Sequence, residues 1–537
     1  MAPYVVEDFT AAEQDVLRRY FTNLDQPVFA LVNLPEVVKG ALFARYSRSA
    51  KSLRRLFLDE FVGDLDIAGD QSVDATIGMR RAEELYDRVF VEYGDDSVAQ
   101  LGGVHLACEQ ASNVLTKVLE WGRLASYLEQ STRYIAYDSR HGGRYRYFRD
   151  PAVLSSTLGT RYIGDLDRLF DTYAALTPRI QEHVRSRTPK APADSDFVYR
   201  MAVKAKALDA VRGILPAAAQ SNVGIYASGQ SYEQLLLRMR AAELPEARHY
   251  ADMMLVELRK VIPSFVRRVD LADRGEAHSA YLAGIRTGMA AVADDLLGSA
   301  DGHDDEARVD LVDFDPDAEV KLVTAMLYPY SHRSESEIRR RVEAMTVEER
   351  QRVIVAYTGD RTNRRHRPGR ALERPFYRFD ILADYGAFRD LQRHRMATIE
   401  WQALSPYHGY TRPELIDEAG AADEFDQAME RSADLYEAIR PEFPLQAAYA
   451  VSLAYRIRFS VNLNARAAMH TLELRSTPQG HPAYRVVAQE MHRLIADEAG
   501  HRAIAATMLF VDHSTAADLE RLDSERRAEA RRAGSTA

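Results

Sequence analysis

The feature that most restricts how this chain can fold is a likeness between its two halves. The first half carries Trp121-Gly-Arg-Leu-Ala-Ser-Tyr127 and the second Arg393-His-Arg-Met-Ala-Thr-Ile399, each at the end of a long amphipathic segment. Both place a hydroxyl after an arginine and two further residues, Arg123/Ser126 and Arg395/Thr398. Later in each half a polar cluster leads into a segment ending Leu-Arg, Leu237-Arg238 and Leu474-Arg475. Each copy of such a unit must bury its own hydrophobic face, and 537 residues exceed what one core usually holds. The expectation is an α+β chain of two related helix-rich domains, residues 1–295 and 320–513. An acidic linker at 296–319 joins them, and a charged tail follows at 514–537. The linker reading rests on Asp301–Glu319, where nine acidic residues and one arginine show little helical periodicity.

Helical spacing recurs at Ala107, Ala111, Val114, Leu115 and Val118, and again at Ile381, Tyr385, Phe388 and Leu391, predicting an amphipathic helix in each place. Arg144–Phe148 is a candidate strand. Composition excludes several classes. Hydrophobic residues make up 46% and charged residues 28%, ordinary for a globular protein. The net charge of -10 argues against bulk attraction to nucleic acid, which is not an expected partner; any anion site must be local. The one cysteine, Cys108, leaves no internal disulfide and no cysteine-based metal centre. No apolar run is long enough to span a membrane, and Met1–Thr10 lacks a basic leader segment, so a cytoplasmic location is expected.

Three clusters can carry chemistry. Arg393, His394 and Arg395 gather guanidinium forks and an imidazole where a buried segment emerges, suited to a phosphate or a planar anion; the alternative is a solvated helix end whose cations offset the dipole. Asn462, Arg466 and His470 are spaced by four and make one polar stripe if the segment is helical; a satisfied hydrogen-bond network reads equally well. Glu129, Ser131 and Arg133 alternate, so an extended loop would present an acceptor, a hydroxyl and a guanidinium together. The same text is also consistent with an ordinary surface strand. Glu246-Ala-Arg-His249 and Glu498-Ala-Gly-His501 match the Glu-x-x-His pattern of di-iron bundles, a minor alternative, and no metal is expected. Arg361–Arg370 is a basic loop, read as solvated or touching phosphate. Phosphate-binding glycine loops and nucleophile elbows are absent from the sequence.

These residues resemble the flavin-dependent thymidylate synthases, whose signature is Arg-His-Arg-x-x-Ser-x-Asn-Glu-x-Ser-x-Arg-Tyr. The signature is split here. The second half keeps Arg393-His394-Arg395, and the first keeps Arg123, Ser126, Glu129, Ser131, Arg133 and Tyr134. Val211-Arg212-Gly-Ile-Leu215-Pro216 resembles the family's Ala-Arg-x-x-Leu-Pro. Arg458-Phe459 through Asn464-Ala-Arg466, His470 and Leu474-Arg475 is similar to its Arg-Phe…Asn-Ala-Arg…Leu-Arg segment, and Glu373 stands where the family has a glutamate. Two places depart from the pattern: Leu128 replaces the signature asparagine, and Asp95–Leu101 replaces a His-x-Ser-x-x-Glu-His stretch.

The resemblance implies two tandem copies of a helix-rich flavin-dependent thymidylate synthase-like domain, the first keeping nucleotide-side residues and the second FAD-side residues. It implies methylation of a pyrimidine nucleotide, first dUMP to dTMP, with FAD as cofactor and NADPH and methylenetetrahydrofolate as co-substrates. Arg393, His394, Arg395, Glu373, Asn464, Arg466 and His470 would hold the cofactor. Arg123, Glu129, Ser131, Arg133, Arg212 and Arg475 would hold a dUMP-like nucleotide, with Arg393, Arg475 and Ser131 closest to the chemistry. In the family the site lies between subunits of a homotetramer. A homodimer of tandem chains imitating that tetramer, with hybrid sites, is therefore expected. The alternative is a catalytically silent or differently specific FAD- or nucleotide-binding paralogue, acting on another nucleoside or an RNA if it acts at all.

Overall fold

Short strands, the central ones running straight into capped helices, underlie both halves of the chain. The computed structural model describes residues 4–34, 36–60, 100, 102–192, 194–298 and 308–515, with 519, 522 and 526. Two four-stranded antiparallel sheets share one strand order. The first comprises β1 (Val28–Leu31), β2 (Gly103–Ser112), β3 (Ala125–Glu129) and β4 (Gln220–Ser228), ordered β1-β2-β4-β3. The second comprises β5 (Arg308–Phe314), β6 (Phe376–Asp384), β7 (Thr398–Trp401) and β8 (Arg456–Asn464), ordered β5-β6-β8-β7. Their central pairs align His105 with Tyr226 and Ile381 with Phe459. The α+β expectation holds.

Both central strands of each sheet pass directly into a helix, and the switch residue is a side-chain cap in every case. Ser112, Ser228, Asp384 and Asn464 accept from the backbone N–H of Leu115, Ser231, Ala387 and Ala467. Each satisfies a donor that the first helical turn would leave open. This corrects the two helices expected from spacing. Ala107 and Ala111 lie in β2 and Ile381 in β6, and the helices begin only at Asn113 and Tyr385. A separation of four residues is an even number, so it keeps side chains on one face of a strand as well as of a helix.

Arg144–Phe148 is not a strand. It makes isolated bridges, His141 to Arg144 and Tyr147 to Ala219, around Gly142 and Gly143, whose φ values of 57° and 77° favour glycine. The stretch expected as linker contains β5, while residues 299–307 and most of the tail lie outside the described residues, as does nearly all of Asp95–Leu101.

The chain divides into two compact units, each drawing on both halves of the sequence. The first holds Met1–Ala174, Leu215–His303 and Arg431–Val451; the second holds Ala175–Ile214, Asp304–Glu430 and Ser452–Ala537. In the first unit, Tyr232 and Leu236 on the Gly229–Arg240 helix and Met254 on the Pro245–Arg259 helix cover Leu106 and Ile225 of the sheet. In the second, Leu472 and Met491, from the Ala465–Arg475 and Pro482–Asp497 helices, are buried with Ile381 and Phe459. Among the described residues no helix is long and apolar enough to cross a membrane.

Candidate functional site

The second unit gathers three arginines from distant points of the sequence around one carboxylate. Arg212 caps the C-terminus of the Asp196–Val211 helix. It is held there because Gly213 O accepts from Ala454 N at 2.9 Å and Ile214 O from Ser452 Oγ at 3.1 Å. Arg393 follows the short helix that Asp384 caps, and Arg475 closes the helix that Asn464 caps. Asp390 receives all three: Arg212 Nη1 at 3.5 Å, Arg475 Nη1 at 3.7 Å and Arg393 Nη1 at 3.9 Å. These are long for ion pairs. Burial raises the pKa of Asp384, an effect the nearby Arg212 opposes. The Arg212 side chain is 5% exposed, and its Nη2 has no hydrogen-bond partner among the described residues. A buried guanidinium donor left without an acceptor is costly.

His394 sets the pose of Arg475. An arginine N–H can only donate, so the 2.8 Å contact from Arg475 Nε makes His394 Nε2 an acceptor. The ring proton is therefore on Nδ1, 3.0 Å from Thr471 Oγ1. Burial, reinforced by Arg475, holds the His394 pKa well below the usual histidine range, so the ring is neutral at pH 7. Tyr484 lies under Arg475, ring centroid to guanidinium carbon 5.3 Å. Sequence reasoning named the cations and missed Asp390, Asp384, Thr471 and Tyr484. The only available signal was the Asp390-x-x-Arg393 spacing.

A second cationic surface in the same unit flanks the start of the Ala465–Arg475 helix. Arg466 donates to Pro368 O at 3.1 Å and to Glu373 Oε1 at 3.2 Å. Arg367 Nη2 is 3.4 Å from His470 Nδ1. His470 is neutral, its pKa lowered to about 4 by burial and then by Arg367 and Arg364. Arg395 is exposed. The expected helical stripe is shortened: Asn462 lies in β8, and only Arg466 and His470 lie on the helix. The basic loop is not wholly solvated either, because Arg361 is buried in a two-pronged pair with Glu473 at 2.6 and 2.7 Å.

In the first unit β3 ends at Glu129 and residues 132–134 turn, so Glu129, Ser131 and Arg133 do not share one extended face. Glu129 is buried against Lys117 at 3.3 Å, and Lys117 also binds Glu120 at 2.6 Å. Ser131 Oγ accepts from Arg133 N at 3.3 Å. Arg123 is exposed ahead of β3. The Glu-x-x-His residues are engaged otherwise: Glu246 accepts from Ser112 N, Ser112 Oγ and Tyr449 OH at 2.9, 2.6 and 2.7 Å, and His501 meets Tyr377 OH at 3.1 Å.

The second unit thus presents converging arginines beside a neutral histidine. The family described as thymidylate synthase complementing protein matches residues 44–264 and again 310–499. The chain belongs to that family. That membership sets aside the di-iron reading. A UPF0159 protein of Chlamydia muridarum is 39% identical over 97% of this chain and 99% of its own length. A Chlamydia pneumoniae UPF0159 protein is 40% identical over 97% and 98%, and one from Thermoplasma acidophilum 31% over 88% and 95%. A solved structure, the UMP/dUMP methylase PolB of Streptomyces cacaoi bound with 5-Br dUMP, aligns at 17% identity with a TM-score of 0.31, covering 39% of this chain and 100% of its own.

Proposed function

We propose that the protein is a flavin-dependent methyltransferase acting on a pyrimidine nucleotide, dUMP to dTMP in the first instance, with a folate one-carbon donor and NADPH. The observation that carries this is the convergence of Arg212, Arg393 and Arg475 on Asp390, a cationic site for an anionic base and its phosphate. Arg212 would take the phosphate, while Arg393 and Arg475 would offset negative charge developing on the pyrimidine carbonyls. Neutral His394 holds Arg475 in place without adding competing positive charge. Arg123, Ser131 and Arg133 are further nucleotide contacts that the family resemblance proposes.

FAD suits the second cationic surface, where Arg367, Arg466 and Arg395 can meet a diphosphate while Glu373 fixes Arg466. When bound it would supply hydride and one-carbon transfer. The two matching sheets are read as tandem copies of one domain.

Self-association is part of the proposal. The Ala277–Leu297 helix exposes Tyr281, Ile285, Met289, Val292 and Leu296 along one seam, with relative exposures from 46% to 74%.

The deciding experiment titrates dUMP into the purified protein and follows flavin absorbance. Arg466→Ala is expected to empty the flavin site, and Arg133→Ala to keep flavin and weaken dUMP at least tenfold. The reverse pattern refutes the division of labour. One observation favours a differently specific paralogue: the Glu129 carboxylate is buried against Lys117. Failure to rescue a thymidine-requiring bacterium, with dUMP binding intact, would select that reading.

A further inference from the structure

The first unit contains a cavity of about 390 Å³ that the nucleotide and flavin residues do not use. Its wall includes Arg140, Arg144, Arg146 and Arg149 with His141, from the segment around the Gly142-Gly143 turn. Three of the arginines are held by aromatic rings, and two of these also by backbone carbonyls. Arg149 sits 3.9 Å from the Tyr147 ring centroid and donates to Tyr145 O and Tyr147 O, both at 3.1 Å. Arg146 sits 4.3 Å from the Tyr137 ring and donates to Ala136 O at 2.7 Å, and Arg140 lies 4.6 Å from the Tyr145 ring. Among the described residues none of the four pairs with a carboxylate.

The two acids on the wall are engaged elsewhere. Glu109 accepts from Tyr4 OH at 2.7 Å, Tyr46 OH at 3.0 Å and Leu53 N at 2.9 Å. Glu7 is bound by Arg55 at 3.0 Å. A stacked guanidinium keeps its full charge and has lost rotamer freedom, so binding an anion costs it little further ordering. Gln110, also on the wall, has a φ of 56° at the bulge between Cys108 and Ala111. Such a conformation in a residue other than glycine is a local strain of the kind that gathers at binding sites.

We propose that this cavity is a second anion site, taking a small molecule that carries at least two phosphate charges. It is independent of the arginine cluster around Asp390. The test uses full-length protein carrying Arg212→Ala and Arg475→Ala, so that the other cluster cannot bind the probe, and titrates it with sodium pyrophosphate by calorimetry. Submillimolar binding is expected, weakened at least tenfold when Arg140→Ala and Arg144→Ala are added. Both of these side chains are exposed, so the core is untouched. No binding, or binding that the added substitutions leave unchanged, overturns the proposal. A second readout needs no variant. Pyrophosphate should protect Arg140 and Arg144 of the unmodified protein from phenylglyoxal, and equal labelling with and without it also overturns the proposal.

Discussion

Asp390→Asn probes the electrostatics of the arginine cluster, because it removes a negative charge that three guanidiniums share at 3.5–3.9 Å while keeping shape. At an effective dielectric constant of about 20, each contact is worth roughly 4–5 kcal/mol of Coulomb attraction. Solvation of the partly exposed members cancels most of that. A net stability loss of about 2–4 kcal/mol in the empty protein is the reasonable scale. An anion seated about 6 Å from the former carboxylate loses a repulsion near 1–3 kcal/mol after screening, so its affinity should rise roughly tenfold to a hundredfold. The two effects have opposite signs, which makes the experiment sharp. Thermal shift without ligand should show Asp390→Asn melting lower than the parent, and a dUMP or phosphate series should close the gap by mass action. A variant as stable as the parent and no tighter for anions would refute the reasoning, because the carboxylate would then not be balancing the cluster.

Glu246 offers a pH test. Burial raises its pKa from 4.5 to about 7, against the opposing hydrogen bonds from Ser112 and Tyr449. The folded state therefore holds this proton more tightly than the unfolded chain. Its stabilisation is complete below about pH 4.5 and is lost as pH rises to about 7, some 3 kcal/mol in all. Glu246→Gln should flatten the stability of the protein across that window, and an unchanged pH profile by calorimetry would rule Glu246 out as the cause. Met289→Asp puts a charge in the exposed seam of the Ala277–Leu297 helix. It should convert a dimer to monomer in sedimentation analysis without lowering the melting temperature of the monomer, and an unaltered sedimentation coefficient would exclude that seam.

Part of the candidate site was legible: Arg393 and His394 stand out by type and spacing, Arg212 and Arg475 through the family resemblance, and the structure brings those four together. Their counter-groups were not legible. Asp390 and Thr471 look ordinary in sequence, and only the folded path sets them against Arg475 and His394. The strand–helix junctions were misread because spacing of four fits both periods, and the deciding signals were the single cap residues Ser112 and Asp384. Glu129 shows the converse failure. Its alternation with Ser131 and Arg133 suggested a shared face, but Lys117, twelve residues away in sequence, claims the carboxylate in the core.

The assignment of residues 175–214 to one compact unit and 431–451 to the other separates the stretch that resembles its counterpart from the stretch that folds as a piece. A gene cut between the halves would yield two polypeptides, each lacking a helical stretch that belongs to its own compact unit. Neither fragment should survive expression alone, whereas producing both in one cell could restore the whole. Fission into separate genes is therefore a difficult evolutionary route for a chain threaded in this way.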